Sequence, residues 1–255
     1  MINRFIRFLL LFLLAKTFLQ QDKVYAWGWG THRYINENAV NYLPPEMGSF
    51  QEHSDYLREH STDPDVDDLP GYYHYIDIDY YPEFFEGTFP HDWDEAVEQY
   101  GYDVIIDNGT IPWVIETWTD SLTVLMASGQ WEAVWQVAAE LGHYVADSHQ
   151  PLHLTLNYNG QLTGNYGIHS RYETHMINPH LSELPLPDSS GIYWSSVIDS
   201  VFRYIDEIYP YASEIIAADD LAADQDPNYN STYYNILWEE VDSMTISVIH
   251  CAIVD

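Results

Sequence analysis

Two histidine–carboxylate pairs in this chain repeat one helical interval. His143 and Asp147 stand four residues apart, and so do His169 and Glu173. On a helix that interval puts both side chains of a pair on one face. His153 lies between the pairs, just after Pro151. Imidazole nitrogen with carboxylate oxygen, and no thiolate, is the donor set of catalytic zinc sites that keep a position open for water. A cysteine-rich structural site is excluded, because the chain has a single cysteine, Cys251. His32 and His74 offer two more imidazoles, and the acidic cluster Asp63-Pro64-Asp65 lies a short way before His74. A plainer reading stays open for the first pair. Its helix face also carries Glu132, Gln136 and Glu140, opposite Val134, Val137 and Leu141, as a solvated polar face would.

The elements that must hold these residues read as helical. Apolar residues recur at helical spacing over 31–43 (Ile35, Ala39, Tyr42, Leu43), with Pro44-Pro45 as the stop. The same period predicts helices over 130–148, 193–216 and 232–253, with a kink or split at Pro210. A further helix over 111–126 has Pro112 in its first turn, where a missing N–H costs nothing. Residues 63–90 read as a long structured loop, and residues 154–168, rich in Asn and Gly, as another. The expected fold class is all-α, a single multi-helix domain with its cleft formed by helices and long loops.

The first 26 residues read as a secretory leader rather than part of the fold. Arg4 and Arg7 precede an apolar run over 8–15, and Val24-Tyr25-Ala26 places small residues where a signal peptidase reads. Cleavage after Ala26 would begin the mature domain, residues 27–255, at Trp27, and give a secreted or periplasmic protein. No later run is apolar and long enough to span a bilayer. The whole chain has 8 basic and 40 acidic residues, a net charge of −32. The leader holds Arg4, Arg7, Lys16, Lys23 and Asp22, so the mature chain has 8 − 4 = 4 basic and 40 − 1 = 39 acidic residues, and no lysine. Such a surface repels polyanions and fits a salty or calcium-rich medium. Cys251, among apolar residues near the end of the last helix, reads as a buried, inert thiol.

Several segments together resemble the zinc-dependent phospholipase C superfamily, which also contains the single-strand-specific zinc nucleases of fungi and plants. They are Trp27-Gly28-Trp29-Gly30-Thr31-His32, Ser61-Thr62-Asp63, His74-Tyr75-Ile76-Asp77, His143-Tyr144-Val145-Ala146-Asp147, Gln150-Pro151-Leu152-His153 and Ile168-His169-Ser170-Arg171-Tyr172-Glu173. The resemblance implies three zinc ions in one cleft. One would be held by Asp63, His74, His143 and Asp147, and a second by His153, His169 and Glu173. The third would take the amine and carbonyl oxygen of Trp27, His32 and the far oxygen of Asp147. Asp63 is also the implied catalytic residue, orienting or deprotonating the attacking water; Asp65 is its alternative as ligand. His149 and His175 are expected beside the site rather than in it.

The implied reaction is phosphodiester hydrolysis, with phospholipid or single-stranded nucleic acid as substrate. A nuclease gains affinity from lysine and arginine contacts to phosphates, and the mature chain offers only Arg33, Arg58, Arg171 and Arg203. The His169-to-Glu173 segment is closer to the lipase branch, whereas the Trp27-to-His32 spacing is that of the nucleases. A phospholipase C-like enzyme with transient membrane-surface contact is the expected reading. A zinc nuclease and a non-catalytic zinc-binding surface protein are the alternatives.

Overall fold

Helices dominate residues 27–67 and 69–255, which the computed structural model describes, and no strand occurs among them. The expected leader, residues 1–26, lies outside the described residues. In chain order the α-helices are α1 (Trp29–Ala39), α2 (Ser54–His60), α3 (Asp63–Val66), α4 (Pro82–Phe85), α5 (Trp93–Tyr100), α6 (Tyr102–Asp107), α7 (Ile111–Ser128) and α8 (Trp131–Ser148). They continue with α9 (Ile168–Ser170), α10 (Val197–Ile208), α11 (Tyr211–Gln225) and α12 (Ser231–Val254). A π-helical segment, Arg171–Met176, runs on directly from α9.

Local sequence accounts for several boundaries. Pro112 occupies the first turn of α7. Pro210 divides the expected long helix into α10 and α11, because its ring cannot continue the first and its fixed φ suits the start of the second. Ser196 caps α10 by accepting from Asp199 N at 3.3 Å. The stretch 63–90 is less loop-like than its composition suggests, since it holds α3, α4 and short 3₁₀ turns at Gly71–Tyr73 and Ile78–Tyr80. Residues 156–167 do form a turn-rich loop without a helix.

Helix α8 is the central element, packed against α1, α2, α3, α7 and α12. It joins two apolar clusters. Val134 and Ala139 pack with Val40, Phe50 and Leu57, while Tyr144 and Ala146 belong to the larger core with Ile35, Ile115, Ile205, Leu237 and Val248. Burying a side chain of valine to phenylalanine size contributes about 1.5–3 kcal/mol, so α8 is anchored from Val134 to its C-terminal end. Gly142 lets α1 come close: a Cβ there would run into the Asn36 side chain. Among the described residues no helix is long and apolar enough to cross a membrane.

Cys251 is exposed, contrary to the buried thiol expected. Ala252 and Val248 take the inward face of α12, which turns residue 251 outward. Partial burial, with Asp255 and Glu207 nearby, raises the thiol pKa and keeps it protonated.

Candidate metal centre

The C-terminal end of α8 is buried, and the pair on its polar face is buried with it. His143 and Asp147 are both fully enclosed, which removes the solvated-face reading. Asp147 is where the separate segments converge. Its Oδ2 lies 3.0 Å from His74 Nδ1 and 3.1 Å from His143 Nε2, and those two nitrogens are 3.0 Å apart. Its Oδ1 lies 3.3 Å from His32 Nε2, 3.3 Å from the Trp27 backbone nitrogen and 3.6 Å from His153 Nδ1. The His32 ring stacks on His143 at 4.0 Å. Gly28 brings the Trp27 end of the chain to this place. Its N–H donates to the Glu173 carbonyl at 3.2 Å, and a Cβ there would sit 2.6 Å from Thr174 Oγ1 and 2.9 Å from that carbonyl.

A second triangle lies beside the first. His169 Nε2 is 2.7 Å from Glu173 Oε2 and 3.1 Å from His153 Nε2, which is itself 3.7 Å from that oxygen. His153 comes from the 3₁₀ turn Pro151–Leu154, and its partners come from α9 and the π-helical segment. Gln150, fully buried, spans these pieces. Its amide nitrogen donates to Glu173 Oε2 at 3.3 Å, and its oxygen accepts from Leu152 N at 2.6 Å.

Eight of the nine ligand-type residues expected from the sequence therefore meet: Trp27, His32, His74, His143, Asp147, His153, His169 and Glu173. Asp63 does not join them. Its carboxylate accepts from His60 Nδ1 at 2.7 Å and Gln136 Nε2 at 3.3 Å, on the outer side of α3. Asp65 stands in its place, with Oδ1 3.8 Å from His143 Nε2 and a side chain only 2% exposed. Two residues on a helix point about 200° apart, so only one of the two aspartates can face the cluster. His149 is also buried, but its ring bonds to the Val145 carbonyl at 2.8 Å and Asp255 Oδ2 at 3.2 Å, outside the site. His175 is exposed.

The electrostatics centre on Asp147. Burial alone would raise Asp147, but His143, His32 and His153 around it hold its carboxyl well below the usual range. For His143 burial pulls the pKa down; the charge and hydrogen bond of Asp147, then Asp65 and the Ser61 carbonyl, outweigh it and raise the imidazole. His32 is lowered, by burial first and then by His143, and so favours the neutral form that a ligand needs. His143 Nδ1 donates to the Ser61 carbonyl at 2.7 Å, so Nε2 is the nitrogen that faces the cluster and would ligate once the ring is neutral.

The residues also fit a cation by what they lack. Nδ1 of His32, Nδ1 of His153 and Oδ2 of Asp65 are buried without a hydrogen-bond partner among the described residues. Each such group costs about 1–3 kcal/mol when left unpaired, and metal coordination removes that cost. Among the described residues three groups place ligand atoms within 4.8 Å of one another: His32/His143/Asp147, Asp65/His74/His143 and His153/His169/Glu173.

An all-helical domain around buried clusters of imidazole and carboxylate defines the class, a zinc-dependent hydrolase. The chain belongs to the zinc-dependent phospholipase C family, whose model matches residues 31–222. That span includes all of the gathered residues except Trp27. Comparison with curated proteins gives no match.

Proposed function

We propose that this chain is a secreted phosphodiester hydrolase of the phospholipase C type, acting on phospholipid headgroup esters. The observation that carries the reading is Asp147, one buried carboxylate approached by four imidazoles and by the Trp27 nitrogen. Three zinc ions are part of the proposal. Asp65, His74, His143 and Asp147 would hold one; His153, His169 and Glu173 a second. His32, Asp147 and the nitrogen and carbonyl oxygen of Trp27 would hold the third, once removal of residues 1–26 turns that nitrogen into a free amine. Bound zinc supplies Lewis-acid stabilisation of phosphoryl oxygens and a water acidic enough to attack near neutral pH.

The chain's own groups do the rest. Asp65 Oδ2, buried and without a partner among the described residues, would take the proton of the attacking water, the role first expected of Asp63. The Ser61 carbonyl fixes the tautomer of His143, and Gln150 fixes the rotamer of Glu173. Lipid is favoured over nucleic acid because residues 27–255 contain four arginines and no lysine to follow a phosphate backbone.

The test is a parallel assay of the mature protein on phosphatidylcholine, other phospholipids and single-stranded nucleic acid, with and without a chelator. Chelator-sensitive turnover of lipids alone supports the proposal. Turnover of nucleic acid alone replaces it with a nuclease. Bound zinc with no turnover of any diester leaves a zinc-binding protein.

A further inference from the structure

Arg171 stands between two proposed zinc ligands and is turned away from both. His169 and Glu173 share a face, so a residue two positions from each projects from the opposite side, roughly 160–200° round the segment. There its side chain is only 9% exposed. Nε donates to Asp219 Oδ1 at 3.2 Å and Tyr233 Oη at 2.9 Å. Nη2 donates to the two Asp219 oxygens at 2.8 and 3.0 Å and to the Asn165 carbonyl at 3.3 Å. Nη1 donates to the Tyr166 carbonyl at 2.7 Å, and the guanidinium lies 4.3 Å from the centre of the Tyr229 ring. Tyr233 donates to Asp219 as well, and Asn165 Nδ2 donates to Asp219 Oδ2 at 2.8 Å. The loop before α9, the π-helical segment, α11 and α12 thus meet at one cation.

Stability alone does not account for this arrangement. A buried ion pair contributes little net stability, and an apolar pair of similar volume often does as well or better. What a guanidinium fork supplies is direction, because its planar donors match a carboxylate in one orientation only. The clamp also sits where the backbone passes from α to π geometry, a rare register that needs outside support. That register sets the angle at which Glu173 leaves the backbone relative to His169.

We infer that Arg171, Asp219 and Tyr233 form a positioning clamp that holds His169 and Glu173 in register for zinc, anchoring the ligand segment to α11 and α12. The inference rests on the proposed zinc reading of that triangle.

The double variant Arg171→Met/Asp219→Leu removes the buried charge from both partners at once, so neither is left unpaired. Zinc affinity is read by chelator competition, the ligand field by the visible spectrum of the cobalt-substituted protein, and stability by thermal unfolding of the metal-free form. The metal-free double variant is expected to unfold cooperatively, at a temperature lowered by the hydrogen bonds that Tyr233, Asn165 and the Tyr166 carbonyl lose. Its zinc at His153, His169 and Glu173 should bind about 10–100-fold more weakly, with an altered cobalt spectrum. Arg171→Lys, which keeps the charge and loses the fork, should fall between. Unchanged affinity and spectrum in the double variant overturn the clamp. Should that variant not fold, the same two readouts on Arg171→Lys and Tyr233→Phe decide: weaker binding at this ion alone upholds the clamp, and no change overturns it. A wild-type protein that takes up no zinc at this triangle removes the zinc reading itself, and the wild-type titration shows this before any variant is compared.

Discussion

The two triangles of nitrogen and oxygen are alike in composition and unlike in support. The first rests on α8, where His143 and Asp147 sit one turn apart on an 18-residue helix packed against five others. The second has no such beam. His153 comes from a four-residue 3₁₀ turn, and His169 and Glu173 straddle the junction between a three-residue helix and a π-helical segment. A long helix buried by apolar side chains carries its own rigidity. Short irregular segments borrow theirs through hydrogen bonds, here from Gln150 on one side and Arg171 on the other. Residue type chooses the chemistry in both triangles, while the backbone decides how many further residues must hold it.

Substitutions can break this comparison in order of size. Asp147→Ala removes the carboxylate on which the first triangle closes and which His153 of the second approaches, so both should fail. Zinc content should drop and hydrolysis fall by more than the ~10–100-fold typical of a supporting group. The metal-free variant should also lose on the order of 3 kcal/mol at pH 7, measured by urea unfolding, because the imidazoles lose their counter-charge. The folded-state pKa of Asp147 is depressed, so its contribution is present above the unfolded value near 4 and lost as pH falls through the folded value. The two proteins should converge in stability under acid. Retained zinc in Asp147→Ala would contradict its central place.

Next in size, Asp65→Ala should lose first-triangle zinc and about 100-fold or more in turnover. Asp63→Ala should keep its zinc and cost less than about 1 kcal/mol, as expected for a partly exposed pair. The reverse ranking, by zinc content and rate, would return the ligand role to Asp63. Gln150→Leu should weaken only second-triangle zinc, by roughly 10–100-fold in chelator competition. Equal weakening at both triangles would mean that the two share their support.

The smallest effect on zinc and turnover lies outside both. Burial, aided by the Asp79 charge, raises the Asp77 carboxyl to about 7, so the fold favours its protonated form. Stability owed to that form is complete below about pH 4 and is lost as pH rises through 7. Asp77→Asn should therefore gain stability at pH 8, by up to about 4 kcal/mol, and almost none at pH 4, by denaturant unfolding at the two pH values. A gain at both would place its cause elsewhere.

How much of this was legible in the sequence varied with the range of the signal. Helix α8 and its ligand pair follow from apolar period and an interval of four, and the split between α10 and α11 follows from one proline. Helix α5 was missed, although Asp92 and Glu95 carry a capping signal and Asp92 does accept from Glu95 N at 3.0 Å. The choice between Asp63 and Asp65 turned on the phase of a four-residue helix too short to show a period. The outward turn of Cys251 was likewise a question of phase. Arg171 gave no local sign at all, since its partner Asp219 lies 48 residues away and only the packing of α11 brings it near.

The most direct test of a zinc centre built around Asp147 is anomalous X-ray scattering at the zinc absorption edge, from crystals of the protein beginning at Trp27. The expected result is zinc in contact with Asp147 and with His32, His74 and His143, and a further ion among His153, His169 and Glu173. Crystals grown with zinc in which those side chains hydrogen-bond to one another, with no anomalous peak among them, would contradict it.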